Sequence, residues 1–320
     1  CSGIQKTKFI VKTRLGRDKT ASVKLWNENN DMEKVNSTKK MQVLEIIKNQ
    51  KELLNLNPRP TDDELITKIE KKELKCLSSF SCFYTNLDSY SNKRDELLSS
   101  VKSLEVLPTV IILTETNPKH VKFAALESEF DISGYIMLTA GFYEINRRGI
   151  IVYIFKDVKS NHISLNNKFN EYLCFSLEGI STCLFIMVVY RSPNSNAAND
   201  QNLIDLIDEF LKLNGRHLII GDFNLPGIDC GRMCVKNLVN MVFKDDLIDS
   251  IRDHHLIQHV QEPTRIRGMQ EQNILDLIFT DDEFLKNLKI GAPVAKSDHC
   301  TPVFELQIKG NQKSFVKNVF

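Results

Sequence analysis

His217-Leu218-Ile219-Ile220-Gly221-Asp222-Phe223-Asn224 is the stretch on which the reading of this chain turns. Three apolar residues stop at Gly221 and give way to Asp222 and Asn224 on either side of Phe223. The run reads as a buried strand, and the glycine lets the backbone turn at its end. Strand residues alternate faces, so Asp222 and Asn224 can share one face while Phe223 packs inward. A carboxylate beside an amide at a strand tip can accept a proton, orient a water or touch an oxyanion. Alone, the segment reads equally well as a strand closing on a polar turn. The rest of the chain must supply the partners that choose between the two.

Outward from this stretch, the chain from Cys76 onward alternates apolar runs with amphipathic segments. Strands are predicted at Leu77–Thr85, Thr109–Thr114, Gly134–Thr139, Ile150–Phe155, Tyr172–Leu177, Cys183–Tyr190, His217–Gly221, Ile274–Thr280 and Pro302–Gln307. Helices are predicted at Lys93–Glu105, Asn199–Leu213 and Arg232–Phe243. Strands outnumber helices and several are hairpin-like. This favours an α+β architecture of two packed sheets with helices outside over a doubly wound parallel sheet. Residues 1–75 differ: they are rich in Lys, Asn and Glu, with apolar residues at helical spacing over Met32–Leu56. Asn57-Pro58-Arg59-Pro60 breaks that pattern, and Thr61 to Glu64 forms a capping box for a second helix through Leu74. This segment is expected to be a helical or partly disordered appendage without chemistry of its own.

Composition sets the outer bounds. The chain has 320 residues, 42% hydrophobic and 26% charged, with a formal net charge of +1. That suits one large globular domain plus an appendage. No run is long and apolar enough to span a membrane, and no secretory leader is recognisable. The first residue is Cys1 rather than Met, as expected of a piece of a longer protein. The eight cysteines are scattered, with no C-x-x-C pair, so reduced thiols in an intracellular setting are expected and a zinc site is not.

Other predicted strands end as the central one does. One ends at Asn86-Leu87-Asp88, one at Thr114-Glu115-Thr116, one at Tyr190-Arg191-Ser192-Pro193-Asn194. Lys296-Ser297-Asp298-His299 precedes the last strand, and Leu275-Asp276-Leu277 sets a carboxylate inside an apolar run. Polar residues gathered at strand ends on one edge are how a sheet builds a cleft. Asp276 demands a partner, because an unpaired buried carboxylate costs several kcal/mol. His299 is one of seven histidines and could be a satisfied core residue. Nearby Asp298 and the separate Asp276 favour catalysis, since a working imidazole wants a carboxylate behind it. His254 and His255 lie in a polar stretch and read as surface.

Taken in order, eight blocks resemble the endonuclease/exonuclease/phosphatase superfamily, and most closely the apurinic-like endonuclease domain of non-LTR retrotransposons. They are YTNLDSYSNK (84–93), ILTETNPKH (112–120), RRGIIVYI (147–154), VVYRSPNS (188–195), HLIIGDFNLPGIDC (217–230), QHVQEPTRIR (258–267), ILDLIFTDD (274–282) and APVAKSDH (292–299). The resemblance spans 76–310, with 311–320 reading as the start of a linker toward a reverse transcriptase. It implies a four-layer α/β sandwich, two mixed sheets flanked by helices, that cleaves DNA phosphodiesters with Mg²⁺, or Mn²⁺ in its place. Carried over by position, Glu115 is the principal metal ligand, supported by Asn86, with Asp298 close to the metal and Asp88 as a further carboxylate. Asp222 aligns or deprotonates water, Asn224 holds the phosphate or nucleophile, and His299, oriented by Asp276, contacts the scissile phosphate. Thr264 is implied at the DNA-facing wall, and Ser297 braces the His299 loop. The family pattern sets a tyrosine before a proline. Here two residues separate Tyr190 from Pro193, so either Tyr190 or Arg191 faces the phosphate. The pattern commonly has Trp where Cys230 stands and Gly where Ala295 stands.

These residue types suit the reaction. Hydrolysis of a negatively charged phosphodiester needs a cation, an oriented water and charge stabilisation at phosphorus. Mg²⁺ takes hard oxygen ligands and keeps several waters, so one or two carboxylates suffice. Arg265, Arg267 and Lys296 lie in loops flanking the inferred cleft and can meet backbone phosphates. The Pro263–Asn273 segment is expected to form a hairpin or loop that enters a DNA groove. The expected partners are double-stranded DNA and a reverse transcriptase domain in the same polyprotein, with no membrane, and the expected place of action is the nucleus. The alternatives are an apurinic-site nuclease, a phosphatase of the same superfamily, or a catalytically dead DNA-binding remnant.

Overall fold

The computed structural model describes residues 12–15, 21–24, 79–120, 127–178, 182–229, 234–235, 241–268 and 272–307. The chain divides into two compact units, Cys1–Asp62 and Asp63–Phe320. In the first, β1 (Lys12–Leu15) pairs antiparallel with β2 (Ala21–Lys24), a hairpin not anticipated from the sequence. The helices expected over Met32–Leu56 and Thr61–Leu74 lie outside the described residues.

The second unit is built on two six-stranded mixed sheets. One is ordered β15 (Leu285–Gly291), β16 (Thr301–Gln307), β3 (Ser79–Asn86), β4 (Val110–Thr114), β6 (Ile150–Phe155), β5 (Tyr135–Ala140). The other is ordered β13 (Ile257–Gln258), β14 (Asp276–Thr280), β10 (Arg216–Asp222), β9 (Cys183–Tyr190), β8 (Tyr172–Glu178), β7 (Ser160–Ile163). Within each sheet a single parallel pair, β3 with β4 and β9 with β10, sits among antiparallel ones. A small hairpin joins β11 (Ile228–Asp229) to β12 (Cys234–Val235).

Alternation along the strands makes the layers. Tyr84, Ile112, Val152, Ile186, Leu218 and Ile220 point between the sheets into a common core. Their neighbours point outward and are covered too. Ile111, Leu113 and Ile151 pack with α1 (Arg94–Ser103) through Leu97, Leu98 and Val101. Met187, Ile219 and Phe279 pack with α2 (Ala197–Phe210) and α3 (Met241–Asp253) through Leu206, Phe210, Leu247 and Ile251. Strands covered on both faces carry no polar side, which is why β4 and β6 read as unbroken apolar runs with every residue buried. The result is the four-layer helix–sheet–sheet–helix sandwich expected from the sequence.

Two differences from expectation have plain causes. The helix predicted at Arg232–Phe243 is displaced: Cys234–Val235 is extended and paired, and the helix runs Met241–Asp253. Its buried stripe is Phe243, Leu247, Ile248 and Ile251, at helical spacing, with Asp245, Asp246 and Asp249 outside. β7 and β15 were not foreseen, because they are edge strands whose Asn161, His162, Lys286 and Lys289 face solvent and leave no apolar signal.

Register fixes the edge where function gathers. Asp222 lies opposite Tyr190 on one side and Asp276 on the other. In the facing sheet Asn86 lies opposite Thr114, and Thr114 opposite Ile150. Gly221 is the constraint at this end of β10, since a Cβ there would lie 1.8 Å from the Val189 carbonyl oxygen of β9. Backbone cannot give way as a flexible side chain can. Gly221→Ala is therefore expected to cost about 3 kcal/mol or more, read as a lowered urea midpoint at unchanged m-value.

Candidate active site

The centre is a pair of fully buried carboxylates, Asp222 and Asp276, side by side on neighbouring strands. Each is surrounded by donors. Asp276 accepts from the Tyr84 hydroxyl of the facing sheet at 2.7 Å and is bonded to His299 Nδ1 at 2.8 Å. Asp222 accepts from the Asn224 backbone at 2.9 Å, from the Asn224 amide at 2.9 Å and from the Asn86 amide at 2.9 Å. The same Asn86 nitrogen donates to Glu115 at 2.9 Å, so one amide ties the two carboxylates together. His299 Nε2 stands 3.9 Å from Asp222 and 4.0 Å from Asp298, too far for direct hydrogen bonds.

Burial and charge set the protonation. Burial pushes Asp222 up to about 8; His299 opposes this, while Asp276 and Glu115 add to it. Burial alone would lower His299, but Asp276, Asp222 and Asp298 outweigh it and carry it up to about 10. The imidazole is thus held as an imidazolium between carboxylates. Asp298 is kept below the usual carboxylate range, because His299 and the Arg265 guanidinium, 3.0 Å away, override its burial. Tyr84 is pushed well above its ordinary value by burial and by Asp276 and Asp222, so its hydroxyl keeps its proton and donates it to Asp276.

Loops hold these groups from behind. The Ser297 hydroxyl donates to the Asn86 carbonyl at 2.8 Å and accepts the His299 backbone N–H at 3.2 Å, which ties the His299 loop to the end of β3. Asp88, Glu115, Asn224 and Ala295 all take positive φ (44°, 50°, 48° and 52°) without being glycine. Such conformations cost about 1 kcal/mol or more each and cluster where the backbone must aim a side chain. Ala295 stands where the family pattern prefers glycine, and its φ supplies the reason.

The second group of carboxylates lies beside the first. Glu115 and Asp88 both accept from Arg148 Nη2, Asp88 at 2.6 Å. The Lys93 ammonium reaches the Leu87 carbonyl and, at 3.2 Å, the Asp88 carbonyl, and its charge is felt by Asp88, Asp298 and Glu115 together. Tyr190 is buried, its hydroxyl pushed above the ordinary range by burial and by Glu115 and Asp222. It borders an open cleft of about 400 Å³ lined also by Arg147, Asn170, Glu171, Ser192 and Asn194.

Two expectations need correction. Arg191 does not face a phosphate: it is fully buried, bonded to both Asp200 oxygens at 2.7 and 2.8 Å, and lies over the Phe243 ring. Alternation at the end of β9 sends Tyr190 toward the site and Arg191, the next residue, beneath α2. Thr264 is not on an open wall: it is fully buried and its hydroxyl accepts the backbone N–H groups of Leu275 and Asp276 at 3.1 and 3.0 Å. It is a bracket that seats Asp276. Asp298, half-buried, is paired with Arg265 at 3.0 Å. Arg267 and Lys296 are exposed, and Arg265 forms an isolated antiparallel bridge with Asn273. The sequence reading gave no role to Tyr84, Arg148 or Glu171. Tyr84 could have been found two residues before Asn86 on the same strand face, where a buried Asp276 needs a donor. Arg148 and Glu171 lie in loops and leave no pattern.

The fold is shared with proteins of known structure. Among solved structures, the endonuclease domain of TRAS1, a telomere-specific non-LTR retrotransposon, superposes with TM-score 0.52 at 14% identity over 72% of this chain and 100% of that one. The apurinic endonuclease LMAP from Leishmania major gives 0.54 at 12% identity, covering 80% and 98%. TDP2 from D. rerio, complexed with a single-strand DNA product, gives 0.50 at 12% identity, covering 71% and 98%. No curated protein sequence matches significantly. These likenesses show a shared fold, that of the TRAS1 endonuclease domain and the apurinic endonuclease LMAP. Residues 184–302 match the family model described as endonuclease-reverse transcriptase. That span holds Asp222, Asn224, Asp276 and His299, while Asn86, Glu115 and Arg148 lie outside it.

Tyr190 and Arg191 are adjacent but separable. Arg191→Gln strands Asp200 in the interior and is expected to cost about 3–5 kcal/mol in chemical denaturation. Tyr190→Phe should leave the denaturation midpoint unchanged, and any change it makes should appear in the reaction.

Proposed function

We propose that this chain is a divalent-metal-dependent DNA endonuclease of the retrotransposon type, which nicks a phosphodiester to leave a 3′ hydroxyl. The observation that carries the reading is the continuous chain of contacts Glu115–Asn86–Asp222 beside Tyr84–Asp276–His299. It places a raised-pKa carboxylate and an imidazolium 3.9 Å apart at the mouth of one edge. That is a general base and a cationic donor converging on one reacting centre.

The residues fit a hard divalent cation at Glu115 and Asp88. Their carboxylates already share one cationic partner, and Asp88 is 43% exposed, open to the waters such an ion keeps. Asp222, Asp276 and His299 also present ligand atoms within 4.8 Å of one another. We assign that trio to proton chemistry instead, because both of its carboxylates are fully buried, away from the waters a hard cation keeps, whereas Asp88 is open to them. A cation at Glu115 would neutralise charge on a phosphate oxygen. Asp222 takes the proton from the attacking water, and Asn224, whose amide also reaches the Arg191 carbonyl at 2.9 Å, keeps the Asp222 carboxylate aimed. The His299 imidazolium meets the charge gathering on the phosphoryl oxygen, with Asp276 fixing its ring. Arg265, Arg267 and Lys296 supply backbone phosphate contacts beside it. In the family's setting the substrate is chromosomal DNA in the nucleus, and a reverse transcriptase domain extends the freed hydroxyl.

Nicking of supercoiled plasmid in Mg²⁺, with the cut ends mapped, tests this. Glu115→Ala, Asp222→Ala and His299→Ala should each lower the rate by about a hundredfold or more while circular dichroism stays unchanged. Full activity in all three would reject the assignment. An abasic duplex and a small phosphomonoester run beside the plasmid distinguish the repair-nuclease and phosphatase alternatives.

The pH dependence follows in sign. Asp222 works deprotonated, so kcat/KM rises with pH up to its value of about 8. His299 works protonated, so the rate falls above about 10. Asp276→Asn removes the carboxylate that most favours the imidazolium, and the alkaline limb of the profile should move to lower pH.

A further inference from the structure

Arg148 stands at the head of β6, and its place is closely fixed. Its backbone N–H and that of Gly149 both donate to buried Glu171, Gly149 at 3.3 Å. From there one guanidinium nitrogen, Nη2, spans both carboxylates, Asp88 and Glu115. The Arg148 and Glu115 side chains are each only 15% exposed, so water screens the contact weakly. The second terminal nitrogen, Nη1, is buried and has no hydrogen-bond partner among the described residues. An arginine placed only to stabilise the fold would use its fork on a carboxylate with two parallel bonds, as Arg191 does with Asp200. Arg148 instead bridges two carboxylates through one corner and leaves another corner idle. Both of those carboxylates sit on residues with strained positive φ, brought to a common point.

We propose that Arg148 is the resident counter-ion of the metal site: it holds Asp88 and Glu115 in place while no divalent cation is bound and must yield them when one arrives. This rests on the reading of Glu115 and Asp88 as the cation's ligands. Two acidic side chains this close repel each other unless a positive charge lies between them. The guanidinium supplies that charge and keeps the oxygens converged. A divalent ion seeks the same oxygens, and two cations cannot share them in a poorly screened site. Metal binding therefore includes the work of displacing Arg148, and the affinity of the site is set partly by that competition. A purely structural arginine would have the opposite effect on removal, because the carboxylates would splay and metal would bind more weakly.

The measurement is Mn²⁺ binding to the full chain, followed by the electron paramagnetic resonance signal of the free ion, for the native protein, Arg148→Gln, Arg148→Lys and Glu115→Gln. Arg148→Gln should bind Mn²⁺ about tenfold more tightly, the equivalent of one weakly screened charge interaction. Its melting temperature should fall without metal and recover with Mn²⁺ by more than the native protein gains. Arg148→Lys, a point charge that cannot span both carboxylates, should bind with intermediate affinity and keeps the test available if Arg148→Gln fails to fold. Glu115→Gln should weaken binding about tenfold or more. If Glu115→Gln weakens binding but neither Arg148 variant tightens it, the counter-ion role is overturned and the metal site stands. If Glu115→Gln leaves binding unchanged, the metal site itself is wrong, and the counter-ion role falls with it.

Discussion

Two carboxylates set directly opposite each other on paired strands, both without solvent, are the constraint around which this molecule is arranged. Asp222 and Asp276 could not stay charged there alone, since burying an uncompensated ion costs several kcal/mol. The compensation is His299, which reaches Asp276 directly and faces Asp222 across 3.9 Å. Tyr84 from the opposite sheet, Asn86 from the end of β3 and Asn224 from the turn after β10 complete it. The cluster therefore joins the two sheets at one edge, and the fold and the candidate chemistry share the same bonds. Thr264 and Ser297 are the second line, fixing the backbone of Asp276 and of the His299 loop.

Adjacent residues here serve opposite ends, and strand geometry decides which. At the end of β9, Tyr190 turns toward the cleft and Arg191, the next residue, turns under α2, where Asp200 and Phe243 enclose it. On β10, Ile220 enters the core between the sheets, while Phe223, past the strand end, packs edge-on against Phe279 beneath the helices. Strain collects where strands end: Asp88, Glu115 and Asn224 leave the extended region to aim their side chains inward. Stability lost there is offset by the three apolar clusters, which leave few strand residues in either sheet open to water.

How far the sequence revealed this depends on whether a residue's role shows in its own neighbours. Central strands were legible because burial on both faces leaves uninterrupted apolar runs; Asp222 and Glu115 stood out as the polar ends of such runs and Asp276 as a carboxylate inside one. Edge strands such as β15 were not, because lysines facing solvent look like loop. Arg148 was invisible for a different reason: a loop arginine beside another arginine carries no local signature, and only the fold brings it to Asp88 and Glu115. Arg191 misled, because the same residue type suits a phosphate or a buried carboxylate, and only the three-dimensional position of Asp200 decides.

The central claim is that His299 is an imidazolium held between buried carboxylates. Nitrogen-15 NMR of its ring through a pH titration tests that most directly. The account predicts both ring nitrogens protonated through neutral pH, with deprotonation only near 10. A neutral ring at pH 7.5, titrating near the ordinary histidine value of about 6.5, would contradict it.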